Sequence, residues 1–353
     1  MAVYLGLLLF LMVLSLLAHS GIRNRRRQEA ILLTLGLLAI FLLLALKKDT
    51  VGTDIPGYKA QYLLSAAVDW KDFDFVYFEK GYILLMKLFS KAGIPFGVFC
   101  AAIYSLLCRA YYRFLRRYSE HATLSLMMLV CYQFLVFHIS GLRQTLAIAV
   151  CIYAFLALDD GRKIRSLLLT GLAVTFHQSA LIFFAVYVIA AGKGRRLKPQ
   201  VSILLTAAVI LLRPLLWGLV NRYFREVDPT TDIALGGNLI FLAGMAVFLL
   251  YTQAATAAIP SPGCIGSRQG FFAHMAFAAL LGDLALSGSV LLRCNMYFTL
   301  FLLPGVPNAI ARYDRRTRLV LELAFGGFLL ILFYTQTLSI NQFDLLPYRF
   351  FWQ

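Results

Sequence analysis

Four ionisable side chains stand out against apolar or turn-forming surroundings in this sequence: Asp54, Glu79, Arg143 and His177. Asp54 and Glu79 belong to the polar stretch 47–82 (KKDTVGTDIPGYKAQYLLSAAVDWKDFDFVYFEKGY), which holds six of the 17 acidic residues: Asp49, Asp54, Asp69, Asp72, Asp74 and Glu79. Asp54 and Glu79 are set beside turn residues and aromatics (Tyr58, Tyr62, Tyr77, Tyr82). A carboxylate so placed can serve as general base for a hydroxyl, worth typically 10²–10⁴ in rate. The plain alternative is an Asp capping a turn and a Glu paired with a Lys. Asp69, Asp72 and Asp74 alternate with Lys71 and aromatics and read as a solvated face.

Arg143 lies where a short turn, Ser140 and Gly141, opens into an apolar helix. A cation at a helix N-terminus opposes the macrodipole and costs roughly 0.3–1 kcal/mol. The cost makes sense if an anion completes the arrangement, because free backbone N–H groups and a guanidinium fork together form a phosphate site. The alternative is an interfacial Arg reaching toward lipid headgroups. His177, in TFHQSAL, is apolar on both sides; an ionisable residue within a membrane segment is a functional candidate by default, with a histidine hydrogen-bonded between helices as the structural alternative. Arg213 and Asp283 are charges inside apolar runs that can pair with each other, and Arg293 follows just beyond Asp283. Two or three Arg converging with Arg143 would suit a dianionic pyrophosphate. Asp314 and Glu322 read as solvated residues at helix ends.

The elements that must position these side chains are membrane helices. The chain has 353 residues, 61% hydrophobic and 14% charged, with a mean hydropathy of +0.77, which excludes a soluble globular protein. Its formal charge of +16 comes from 33 Lys and Arg in short clusters between apolar runs, with no continuous basic face for nucleic acid. That is the pattern of cytoplasmic loops. The six cysteines (Cys100, Cys108, Cys131, Cys151, Cys264, Cys294) form no CxxC pair and lie mostly in apolar runs, so no disulfide framework or zinc site is expected. The first apolar run lacks a preceding basic segment and a cleavage site, and reads as a retained span.

Apolar runs at 2–18, 30–46, 96–114, 122–138 and 142–158 are close to the roughly 20 residues of a spanning helix. Arg23, Arg25, Arg26 and Arg27 put the first joint inside, and the 47–95 loop therefore outside. Within it, 78–92 reads as an interfacial helix interrupted by Lys80, Lys87 and Lys91. The segment 166–191 is broken by His177 and Gln178. Crossing once, it would divide Lys and Arg about 16 inside to about 17 outside; as a re-entrant hairpin, about 20 to about 13. The hairpin is expected, with His177 at its tip facing a cavity. Further runs at 201–219, 235–252, 271–290, 295–311 and 319–337, with a second outer loop at 218–234, bring the expectation to an all-α polytopic membrane protein. It has about ten spans and one hairpin in a single integral domain over 1–353. No repeat is visible.

VGTDIPGYKAQY, FEKGY, SGLRQTLAIAV, TFHQSAL and RCNMYFTLFLLP, in this order, resemble the EpsG family of exopolysaccharide and O-antigen polymerases, often described as Wzy-like. The resemblance covers essentially the whole chain. It implies a bacterial inner-membrane glycosyltransferase, GT-C-like in architecture, that joins undecaprenyl-pyrophosphate-linked oligosaccharides on the outer (periplasmic) face. Donor, acceptor and bilayer are the implied partners, with a chain-length regulator as a further one; no nucleotide sugar, metal or other cofactor is implied. The motifs carry over to Asp54, Tyr58 and Glu79, Arg143 and Gln144, His177 and Ser179, and Arg293. Family members often have Arg four residues before the GTD glycine; this chain has Lys48, which keeps the charge but loses bidentate geometry.

The expected chemistry is a single inverting displacement. Arg143, Arg293 and Arg213 hold pyrophosphate, Glu79 or Asp54 is the base, and His177 binds phosphate or orients a partner. The rival from another class is a lipid-linked oligosaccharide flippase, for which matching broken helices in two halves would be expected. Only one break is visible here. An O-antigen ligase and a membrane acyltransferase are the enzymatic alternatives.

Overall fold

A computed structural model of the chain describes residues 1–19, 25–223, 237–255, 263–286, 290–339, 341 and 343–353. The fold is all-helical, 78% helix, and among the described residues strand pairing is limited to one antiparallel bridge between Lys47 and Phe350. In chain order the helices begin with α1 (Ala2–His19), α2 (Arg25–Ala45), α3 (Ile55–Ala67), α4 (Lys80–Lys91) and α5 (Phe96–Tyr118). There follow α6 (Ala122–Cys131), α7 (Phe134–Ser140), α8 (Leu142–Asp159), α9 (Lys163–Phe176), α10 (Phe184–Ala191) and α11 (Pro199–Tyr223). The remainder are α12 (Gly237–Ala255), α13 (Arg268–Leu286), α14 (Met296–Thr299), α15 (Leu302–Ile310) and α16 (Arg315–Phe333). Two compact units are formed: 1–158 with 162–181 and 310–353, and 159–161 with 182–309.

Among the described residues five helices are long and apolar enough to span a membrane, α2, α5, α8, α12 and α13, and six if the α6–α7 pair, bent by 56°, counts as one span. The chain is a multi-pass membrane protein. The expected count of about ten is not reached among the described residues. The apolar parts of α1 and α11 are shorter, and the run 295–311 is broken into α14 and α15 at Leu300 and Phe301, one turn before Pro304, which has no N–H to give Leu300 O. At the α6–α7 bend, Gln133 takes a left-handed φ of 49°. The outer loop expected at 218–234 falls largely outside the described residues.

In the first unit α8 is the most buried span, and α5 packs its stripe of Phe99, Ile103, Tyr104, Leu107, Tyr111 and Phe114 inward at helical spacing. The unit has two distinct ends. At one end Arg116 and Arg117 close α5, Arg315 and Arg316 open α16, and Glu29 of α2 accepts the Ala122 N–H at 3.1 Å. Glu322, expected to be solvated, is instead 10% exposed there and lies 3.4 Å from His121. At the other end the chain's C-terminal tail returns onto the 46–53 segment. Lys48 N–H donates to Arg349 O, Gly52 N–H to Asp344 O and Thr53 N–H to Phe343 O, at 2.8, 3.2 and 3.1 Å.

The polar stretch 47–82 also departs from its expected form. The GTDIPGY turn is real at Gly52, whose φ of +103° and 2.9 Å Cβ approach to Ile139 O leave no room for a side chain. It leads directly into α3, with Pro at the start of the helix. The interfacial helix 78–92 appears as α4, but Lys87 lies on its buried face rather than interrupting an exposed one. Its ammonium group donates to Asp69 O at 2.5 Å and to Asp72 O, and sits over the Phe73 and Phe75 rings. The acidic residues around it, Asp69, Asp72 and Asp74, are exposed as expected.

In the second unit α13 is the hub, packing against α10, α11, α12 and α14. Asp283 is buried on it and accepts from Asn238 at 2.6 Å. Residues 159–161 and 193–195 both abut the segment 263–270: Cys264 N–H donates to Asp159 O and Ser267 N–H to Lys193 O, each at 3.2 Å.

Candidate functional site

Glu79 occupies the N-cap position of α4 but does not cap it. Its carboxylate turns away from its own helix toward α8 and the end of α9. One oxygen accepts from Arg143 Nη1 at 2.7 Å. The other accepts the Gln178 N–H at 3.0 Å and lies 3.2 Å from His177 Nδ1. The Glu79 side chain is 10% exposed, and a carboxylate so enclosed is stable only with its charge paired and its lone pairs used. Burial alone would raise this carboxyl. The hydrogen bond from His177, the charge of Arg143 and the Gln178 N–H together outweigh it and bring the pKa from 4.5 down to about 2.

Arg143, in the first turn of α8, is held from three sides. Besides Glu79, its Nε donates to Tyr58 OH at 3.2 Å, and its guanidinium stacks 4.2 Å over the Phe78 ring. Tyr58 is buried, and burial raises its phenol above the usual range although Arg143 pulls the other way; it stays neutral. A guanidinium has five N–H donors. Two serve Tyr58 and Glu79, and the other three have no protein partner among the described residues, on a side chain 23% exposed. Arg143 is thus fixed as a fork with open donors.

His177 ends α9 in extended backbone, at φ −157° and ψ 124°. With Nδ1 directed at Glu79, the proton is assigned to that nitrogen and the Nε2 lone pair is left available. Nε2 has no partner among the described residues. His138 differs: both its nitrogens are taken, by Tyr111 OH at 2.9 Å and Thr145 Oγ1 at 3.0 Å, and it supports the core beneath the Arg143 turn.

Local sequence explains how these distant residues meet. Gly81 lets α4 lie directly on α9, since a Cβ there would be 2.8 Å from Thr175 O; this sets Glu79 beside His177. Gly52 and the Asp54 N–H, which donates to Ser140 Oγ at 3.1 Å, dock the start of α3 on the turn before Arg143 and so present Tyr58. Asp54 is half-buried near Tyr58. Gln144 is buried behind Arg143, and Ser179 follows in the 3-10 helix Gln178–Phe183, its N–H 3.4 Å from His177 Nδ1. Arg213, on α11, and Arg293, in the 3-10 helix Val290–Asn295, belong to the second unit and are each half-buried.

Sequence reasoning passed over Phe78, the Gln178 N–H and the Gly81–Thr175 contact. The first two are neighbours of Glu79 and His177 in FEKGY and TFHQSAL, and the glycine was the available signal for the third. A shared carboxylate thus couples a cation with free donors to an imidazole with a free lone pair. Such a pair can hold an anionic leaving group and take a proton from an attacking hydroxyl. No curated protein and no solved structure matches the chain. The model of the EpsG family matches residues 30–350, a span that includes Tyr58, Glu79, Arg143 and His177. The chain belongs to the EpsG family.

Proposed function

We propose that this protein is a polysaccharide polymerase of the bacterial inner membrane. It joins undecaprenyl-pyrophosphate-linked oligosaccharides, destined for O-antigen or exopolysaccharide, on the outer face. Membership of the EpsG family supports a polymerase-like role. The observation that carries the mechanism is the sharing of Glu79 between Arg143 and His177 at 2.7 and 3.2 Å.

In the proposed reaction the acceptor hydroxyl gives its proton to His177 Nε2 as its oxygen bonds to the anomeric carbon of the donor sugar. The bond from that carbon to the pyrophosphate oxygen breaks, and undecaprenyl pyrophosphate leaves with the electron pair. The three open N–H groups of Arg143 bind the anion that forms. Glu79 fixes both partners: it directs His177 Nδ1 so that Nε2 faces the acceptor, and it orients the guanidinium. Burial makes it the neighbour that stabilises imidazolium, and at a pKa of about 2 it is itself a weak base. Tyr58, Gln144 and Ser179 complete the wall.

The test is Arg143→Lys. Lysine keeps the charge but cannot reach Tyr58 and Glu79 and also face the substrate, and it loses a charge-assisted bond worth roughly 1.5–3 kcal/mol. At about 1.4 kcal/mol per decade, conversion of purified undecaprenyl-pyrophosphate oligosaccharide in nanodiscs should fall roughly tenfold to a hundredfold, with Tm followed in parallel to show that the variant is folded. Full activity in the Lys variant would end the clamp.

A further inference from the structure

At the basic end of the first unit, away from Glu79, α1 and α16 part company. Near the opposite end they touch, the Tyr4 and Phe333 rings being 6.3 Å apart. Toward the basic end a cavity of about 550 Å³ opens between them, floored by Leu124 and Met127 of α6. This volume falls within the roughly 300–1,000 Å³ typical of ligand sites. We infer that this cleft binds one anionic glycerophospholipid.

Two features define the occupant. The deep part is apolar, walled by Met12 and Leu16 of α1 and by Leu319 and Leu323 of α16. Its width comes from Gly326 and Gly327: a Cβ on Gly327 would meet nothing within 4 Å, and one on Gly326 would reach only Met127 Cε at 3.9 Å. That space suits a hydrocarbon chain. The mouth carries Arg315, which is exposed, and Arg318, 28% exposed. Glu322 lies in the same wall but is engaged by His121 at 3.4 Å and approached by Arg318 at 4.0 Å. Asp314 is used in capping α16, accepting from the N–H groups of Arg316 and Thr317. With two arginines against Glu322 the mouth keeps an excess of positive charge. A soluble phosphate would leave the apolar part unfilled, and a zwitterionic lipid would bring its ammonium group against Arg315. An acyl chain with a phosphate and no cation satisfies both parts.

The experiment uses the full chain in detergent, with phosphatidylglycerol and phosphatidylcholine as probes, read by native mass spectrometry and thermal melting. One phosphatidylglycerol should stay bound per chain and raise Tm by more than an equal amount of phosphatidylcholine does. Gly327→Leu fills the cleft and should remove the bound lipid and the difference in Tm. Arg315→Gln, on an exposed first turn, should weaken phosphatidylglycerol binding about tenfold, the share of one charge-assisted bond. Equal stabilisation by both lipids would overturn the inference, as would wild-type phosphatidylglycerol binding in either variant. Should Gly327→Leu fail to fold, Arg315→Gln decides alone.

Discussion

Replacing Glu79 with Gln distinguishes a positioning carboxylate from a catalytic base. In the wild type its two oxygens accept from Arg143, Gln178 N–H and His177. A glutamine has one acceptor oxygen, so its amide group must point a donor either at Arg143 or at the His177 and Gln178 side. Either way at least one charge-assisted bond is lost, roughly 1.5–3 kcal/mol. The depressed pKa implies a similar figure: from 4.5 down to about 2 corresponds to about 3 kcal/mol at about 1.36 kcal/mol per pH unit. Because the folded pKa is depressed, this stabilisation is full above pH 4.5 and is lost as pH falls toward about 2. Glu79→Gln should therefore lower Tm at pH 7 and flatten its fall between pH 5 and pH 3. For activity, a carboxylate at about 2 is fully ionised from pH 5 to 8, so an acid limb in the rate of polymer formation over that window points to an imidazole. The wild type should have that limb, His177→Gln should lose activity by 10²–10⁴, and Glu79→Gln should keep partial activity. A wild-type rate independent of pH from 5 to 8, with Glu79→Gln inactive and folded, would refute the positioning role and make Glu79 the base.

Gly81→Ala inserts a methyl against Thr175 and should cost about 1–3 kcal/mol in stability, seen as a lower Tm, and reduce polymer formation as Glu79 moves from His177; a silent variant would mean that α4 and α9 tolerate separation. Lys87→Met leaves the carbonyls of Asp69, Trp70 and Asp72 without their shared donor, and limited proteolysis should cut the 69–76 loop about tenfold faster or more; unchanged cleavage would show that the loop is held by its rings. Cysteines introduced at Tyr77, which is fully exposed, and at Arg195 should respectively react and not react with an impermeant maleimide in intact cells. Labelling at 195 would reverse the proposed orientation of every later span.

Hydropathy is a local property, so the sequence alone determined the membrane class and the positions of α2, α5, α8, α12 and α13, all close to where their apolar runs predict. It also picked out Glu79, Arg143 and His177, because a charge or an imidazole in apolar surroundings is conspicuous without any knowledge of its partners. Their meeting was not legible: Glu79 reaches Arg143 across 64 positions and Gln178 across 99, and nothing local encodes such pairings. The sequence likewise reads Lys87 as an interruption of an interfacial helix and Glu322 as solvated, yet helix packing buries Lys87 among loop carbonyls and holds Glu322, 10% exposed, against His121. Whether a carboxylate such as Glu79 acts as base or as anchor depends on how many donors surround it. Those donors arrive from α8 and the end of α9, and only the packing of α4 against them through Gly81 brings them within 3.2 Å.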